Sequence, residues 1–212
     1  MSIFVDTADI EQAKAAKELG WVSGITTNPI LLAKSTNPVA DTLQKLTGLN
    51  IGLVFYQLVS SSKEDMLKEA HLANEIAGDQ LVLKIPPTRN GFQIIPHLPP
   101  GIPCCITALY SVAQAVVARE SGVRYIAVYV NRATKLSGDG LTLITDMAGV
   151  LKGSRTQILA ASLKSPLEAS AAILSGADHL TLPFDVLNKM AYHEHSERAV
   201  NQFNSNGSGL QF

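Results

Sequence analysis

The sequence predicts an α/β chain that closes into a (β/α)8 TIM barrel with a C-terminal helical extension. Three observations carry that expectation. Short apolar runs alternate with longer stretches in which apolar residues recur at three- and four-residue spacing, the patterns of buried strands and amphipathic helices. Eight such pairs fit along the 212 residues, and regular strand–helix alternation is the mark of a parallel sheet covered by helices. The polar residues of the apolar runs gather at their C-terminal ends, where barrels place their chemistry.

The predicted strands are "SIFVD" (2–6), "VSGITT" (22–27), "IGLVFYQLV" (51–59), "LVLKIP" (81–86), "IPCCIT" (102–107), "YIAVYV" (125–130), "QILAAS" (157–162) and "HLTLP" (179–183). Helical spacing occupies "DIEQAKAAKELG", "KEDMLKEAHLANEIAG", "SVAQAVVARESG", "GLTLITDMAGVLKG" and "SPLEASAAILSG". Each of these ends in a glycine, Gly20, Gly78, Gly122, Gly153 or Gly176, as helix C-termini commonly do. The segment after the fourth strand, "TRNGFQIIPHLPPGIP", carries four prolines and has room for only a short helix. A doubly wound open sheet is the main alternative fold, but no Gly-rich dinucleotide fingerprint follows any strand. No domain boundary is visible. The expectation is a single barrel domain with its C-terminal helix over 1–204 and a flexible tail over 205–212, native or appended.

Composition narrows the function classes. Hydrophobic residues are 46% and charged residues 17% of the chain, enough for a sizeable core and against global disorder. A net charge of −1 gives no electrostatic case for nucleic acid or an anionic membrane. No basic stretch followed by an apolar run opens the chain, and no apolar run approaches the ~20 residues of a membrane span. Cys104 and Cys105 are neighbours, poorly placed for a mutual disulfide and too few for a zinc site. A cytoplasmic, reducing setting is expected. The "HEH" at 193–195 sets two histidines at a spacing that does not share a helix face, so no metal is expected.

The strand ends carry Asp6, Thr26, Thr27, Asn28, Gln57, Lys84, Thr107, Tyr129, Asn131, Arg132, Ser162 and Lys164. Lys84 stands out because Leu81, Val82 and Leu83 precede it and Ile85 follows. Desolvation favours the free amine, which attacks a ketone to form a Schiff base. The competing reading is a lysine that snorkels or pairs with a buried acid. Asp6 either pairs with Lys84, contacts a substrate hydroxyl, or caps the helix that follows. Asn28, in "TTNP", contacts substrate or shapes a turn with Pro29 opening a helix. Gln57 orients a water or is satisfied structurally. Arg132 in "VYVNR" suits phosphate, beside Tyr129, which suits proton movement directly or through a water; the alternative is a tyrosine packed in the sheet and a surface arginine. Ser162 and Lys164 in "AASLKSP" add a hydroxyl and a cation near a helix start, either a capped loop or an anion site of the kind barrels build after strands seven and eight, and Arg132 favours the anion site. "SGDG" (137–140) reads as a turn and helix cap.

These stretches together resemble a known family. "FVDTAD", "GITTNPILLAK", "LVLKIPPT", "ITALYS", "YVNR", "LAASLKSP" and "GADHLTLPFDVL" occur in the order found in the transaldolase family, and most resemble its small subfamily of fructose-6-phosphate aldolases. The resemblance runs from about residue 2 to 200. It implies class I aldol chemistry with no cofactor and no metal. By matching motifs, the implied catalytic set is Lys84, Asp6, Gln57, Thr107 and Tyr129, with Asn28, Thr27, Ala127, Arg132, Ser162 and Lys164 binding substrate. Transaldolases proper have Glu, Phe and Ser where this chain has Gln57, Tyr129 and Ala127, which favours the aldolase branch: cleavage of fructose 6-phosphate to dihydroxyacetone and glyceraldehyde 3-phosphate. Transfer of the dihydroxyacetone unit between sugar phosphates is the alternative. The chain departs from the pattern at Cys105, Ile106 and Val128 and in the proline-rich segment 89–103. The implied partners are sugar phosphates, dihydroxyacetone and further copies of the chain, as a pentamer or decamer.

Overall fold

The structure, a computed structural model, describes residues 1–210; the last two residues of the expected tail lie outside the described residues. Eight parallel strands close into a barrel in sequence order. They are β1 (Ser2–Asp6), β2 (Gly24–Thr26), β3 (Leu53–Gln57), β4 (Leu81–Ile85), β5 (Cys104–Leu109), β6 (Tyr125–Tyr129), β7 (Gln157–Ala161) and β8 (His179–Leu182). Between them run α1 (Ile10–Glu18), α2 (Pro29–Leu32), α3 (Val39–Gly48), α4 (Lys63–Ala77), α5 (Arg89–Ile94), α6 (Val112–Glu120), α7 (Val130–Ser137), α8 (Gly140–Leu151) and α9 (Pro166–Leu174), with α10 (Phe184–Met190) and α11 (Glu194–Asn206) after the last strand. The (β/α)8 expectation is met.

Strand periodicity sorts the core into two parts. Phe4, Phe55, Val82, Cys105, Tyr125, Ala127 and Leu159 form one cluster, the filling of the barrel. Alternate residues such as Val5, Ile25, Leu83, Ile106, Val128 and Leu182 belong to a second, larger cluster shared with the helices. Inside, Phe4 meets Phe55 edge-on with centroids 5.0 Å apart, and Tyr125 tilts against Phe55 at 5.5 Å. Burying one such ring contributes roughly 1.5–3 kcal/mol. Six of the eight inward files end in a polar residue at the C-terminal end of the strand, at Asp6, Thr26, Gln57, Lys84, Thr107 and Tyr129.

The strand edges differ from the sequence expectation for local reasons. β2 and β3 each begin two residues late because glycines bring the chains together there. A Cβ on Gly24 would sit 2.1 Å from the Leu53 carbonyl oxygen, and one on Gly52 2.1 Å from that of Ser23. β5 runs on to Leu109 through a register shift against β6, with Ala108 at φ 59°. Helices outnumber the expected eight because several crossovers are broken. Asp139 caps α8, its Oδ1 accepting from the Leu141 N–H at 2.9 Å, so "SGDG" is the turn and cap it resembled. The proline-rich segment holds the six-residue α5, capped by Thr88, and a single 3-10 turn over Ile95–His97. The C-terminal helix continues through residues 205 and 206, which the sequence assigned to the tail.

At the start of β8, His179 is 6% exposed. Its Nδ1 accepts from the Ser2 N–H at 3.0 Å, while Nε2 is buried without a partner. Burial pushes its pKa below the ordinary 6.5. An unfolded chain therefore binds a proton as pH falls through that ordinary value, where folded His179 does not, and stability is lost on acidification. The melting temperature should fall between about pH 7.5 and 5.5, and His179→Phe should flatten that slope in a thermal melt series.

Candidate active site

Period-two alternation along β4 points Lys84 the same way as Val82, into the barrel. Lys84 is 4% exposed, and its Nζ donates to the Thr27 carbonyl oxygen at 2.7 Å. That carbonyl is held in place because the Thr27 N–H and hydroxyl both donate to the Phe55 carbonyl, at 3.0 and 2.7 Å. Among the described residues no ion pair includes Lys84. The Asp6–Lys84 pairing considered from sequence is not made. The Asp6 carboxylate instead accepts from the Thr26 hydroxyl at 2.7 Å, and Thr26 in turn bonds to the hydroxyl of Thr181. Nor does Asp6 cap α1. Asp9 does so, accepting from the N–H groups of Glu11 and Gln12. Asp6 therefore faces the cavity with a fixed orientation.

The strand ends open into a cavity of about 460 Å3. Of the groups expected to be catalytic, Asp6, Gln57, Lys84 and Tyr129 line it; of those expected to bind substrate, Asn28, Ala127, Arg132, Ser162 and Lys164 do. Thr27 and Thr107 do not line it; both are fully buried. Thr107 lies 3.2 Å from the Tyr129 hydroxyl, so it orients that phenol, and Thr27 supplies a backbone acceptor. Asn28 also caps α2, its side-chain oxygen accepting from the Leu31 N–H at 3.0 Å. The Gln57 Oε1 is buried and has no protein partner, an acceptor waiting for a water or hydroxyl. The loop beyond it is pinned by Glu69, which accepts from the Val59 and Ser60 N–H groups and from the Tyr56 hydroxyl. Burial and Glu69 together push the Tyr56 pKa upward.

Sequence reasoning passed over Thr181, Ala108, Ile30 and Leu31 in this wall. Thr181 was readable in principle: two residues beyond His179, it sits on the same inward file. Ala108 arrives through the irregular β5, which no local pattern announces.

Arg132 and Lys164 form the cationic end of the cavity. The Arg132 guanidinium lies over the Tyr129 ring, 4.8 Å from its centroid, and Tyr110 meets the same ring edge-on at 6.3 Å. Ser162 adopts φ 60°, uncommon for a residue with a side chain. Among the described residues neither cation is paired with an acid, so both are available to an anion.

Cys105 pairs in register with Lys84. Burial pushes its thiol up to about 12, although the charge of Lys84 acts the other way, and burial pushes Cys104 up to about 11. Thiols this basic are not nucleophiles at neutral pH. Iodoacetamide at about pH 8 should leave both unlabelled in the folded protein and label both after denaturation. Rapid labelling of the folded chain would contradict the buried placement.

Fold and site together define a (β/α)8 barrel with a lysine-centred pocket at the C-terminal ends of its strands and a cationic rim. Known proteins agree. The family described as Transaldolase/Fructose-6-phosphate aldolase matches residues 3–209. A probable transaldolase of Hydrogenobaculum sp. (strain Y04AAS1) is 34% identical over 206 residues, 96% of this chain and 94% of the relative. One from Desulforapulum autotrophicum is 35% identical over 96% of this chain and 95% of its own length. The chain belongs to the transaldolase/fructose-6-phosphate aldolase family. A solved mandelate oxidase mutant superposes with a TM-score of 0.65 at 15% identity, covering 93% of this chain and 69% of that one; this likeness shows the barrel alone.

Proposed function

We propose that the protein is a Schiff-base enzyme that makes and breaks the carbon–carbon bond beside the ketone of a sugar phosphate, handling a dihydroxyacetone unit on Lys84. The observation that carries this is the buried amine of Lys84, hydrogen-bonded to one neutral acceptor and facing a cavity with two unpaired cations at its other end. In the proposed cycle the Lys84 amine attacks C2 of fructose 6-phosphate and water leaves, forming an iminium. Arg132, Ser162 and Lys164 hold the phosphate. The C4 hydroxyl gives up its proton with Asp6 at hand. The C3–C4 electron pair moves into the iminium, releasing glyceraldehyde 3-phosphate and leaving an enamine.

Two fates of that enamine are weighed. Transfer to a second aldose phosphate is favoured by the relatives, which carry the name probable transaldolase. Release as dihydroxyacetone is favoured by Gln57 and the Tyr129–Thr107 pair. An unpartnered amide oxygen and a phenol beside the cavity suit a water that protonates the enamine and hydrolyses the iminium. The chain is further proposed to assemble with copies of itself, because α11 buries none of its residues and leaves Val200 and Phe203 bare.

Borohydride in the presence of dihydroxyacetone should fix an adduct on Lys84, and Lys84→Met should lose both adduct and turnover. No adduct, or one elsewhere, sinks the mechanism. With fructose 6-phosphate and erythrose 4-phosphate supplied together, Tyr129→Phe should cut free dihydroxyacetone by about a hundredfold while transfer persists. Light scattering should show an oligomer that dissociates when residues 194–212 are removed; an unchanged mass argues against α11 as the contact.

A further inference from the structure

Both cation-bearing loops converge on Glu168, which does not line the cavity. Its Oε1 accepts from the Asn131 side-chain amide at 2.6 Å, and its Oε2 accepts from the Lys164 backbone N–H, also at 2.6 Å. Asn131 immediately precedes Arg132 in the first turn of α7. Glu168 lies in the first turn of α9, with its own N–H donating to the cap residue Ser165 at 3.1 Å. One carboxylate thus ties the first turn of α7, which carries Arg132, to the loop that carries Lys164.

The choice of donors is informative. Glu168 takes a neutral amide and a backbone N–H, and forms no ion pair with the Lys164 ammonium or the Arg132 guanidinium among the described residues. The two cations are held in register yet keep their charge for a ligand. A carboxylate serving only to cap α9 would need nothing from Asn131, which stands 37 residues away in sequence.

We infer that Glu168 is a positioning residue that sets the spacing of Arg132 and Lys164 for a phosphate monoester, and so makes the enzyme prefer phosphorylated over unphosphorylated aldehydes. This rests on the proposed phosphate end of the cavity. Glu168 touches no substrate and acts through the two loops it joins. Carboxylate–amide bonds of this kind are charge-assisted and geometrically selective, and a cation displaced by about 1 Å loses much of its value to a doubly charged ligand.

The test reads phosphate recognition apart from chemistry. Inorganic phosphate binding is measured by calorimetry for the full chain and for Glu168→Gln, Glu168→Ala and Asn131→Ala. Aldol kinetics then compare glyceraldehyde 3-phosphate with glyceraldehyde, using dihydroxyacetone as donor. The Glu168 variants should bind phosphate about tenfold more weakly and raise KM for the phosphorylated aldehyde by a similar factor. Their kcat and their kinetics with glyceraldehyde should stay near the parent values. Asn131→Ala cuts the same bridge from the other side, leaves α9 intact, and should show the same split if a Glu168 variant fails to fold. Equal losses on both aldehydes, or unchanged phosphate binding, would overturn the assignment. Calorimetry involves no turnover, so it judges Glu168 even where borohydride trapping refutes the Schiff base.

Discussion

Closing eight parallel strands into a ring commits every second side chain to one small interior, and the rest of this structure follows from that constraint. Phe4, Phe55, Tyr125 and Leu159 fill the middle of the barrel. With the interior filled by apolar bulk, an inward polar group has a low-cost place only at the strand ends, where solvent or a ligand reaches it. Lys84 occupies that level on β4, one inward step above Val82. Its bond to the Thr27 carbonyl depends on the barrel as well, since Thr27 is itself fixed by two bonds to Phe55 on the neighbouring strand.

The acids around the site share a habit that explains its charge. Glu69 accepts from the N–H groups of Val59 and Ser60, and Glu168 from that of Lys164. Each carboxylate satisfies a loop amide that would otherwise be left without a partner. Asp6 is tethered to Thr26 rather than to a cation. None of them neutralises Lys84, Arg132 or Lys164. The loops are stabilised by charge-assisted bonds, while Arg132 and Lys164 keep their charge for a ligand at the rim and Lys84 at the base of the cavity is paired with no carboxylate among the described residues. A chain of net charge −1 therefore presents a local cationic surface where a sugar phosphate is proposed to bind, which the overall balance conceals.

Much of this was legible because the barrel converts one-dimensional pattern into position. An apolar run ending in a polar residue places that residue at the strand's C-terminal end, so Asp6, Gln57, Lys84, Tyr129 and Ser162 all face the cavity. The pattern does not show which strand-end hydroxyl reaches the cavity. Thr27 and Thr107 are strand-end residues too, but both are fully buried and neither lines it. Ala108 enters through a register shift, a product of β5 and β6 pairing that neither strand encodes alone. Glu168 lies in the first turn of α9, where an acid is common. Its bond to Asn131 exists only because β6 and β7 are neighbours, and a tertiary contact of that kind has no local signature.

The proposed division between transfer and release turns on where a proton donor stands once the enamine exists. The enamine carbon must either meet an aldehyde or accept a proton, and the two events compete for the same position above Lys84. A carboxylic acid there would take and return protons readily and leave an aldehyde as the main competitor. Gln57 has no proton to exchange at neutral pH and offers an unpartnered buried oxygen, so its natural occupant is a water donating to it. Tyr129 lies on the same wall, oriented by Thr107 at 3.2 Å and covered by Arg132. The Arg132 guanidinium, 4.8 Å from the centroid of that ring, is also one of the two cations proposed to hold the phosphate. The group proposed to bind phosphate and the group proposed to move the proton are therefore packed against each other, so a substitution at either one disturbs both.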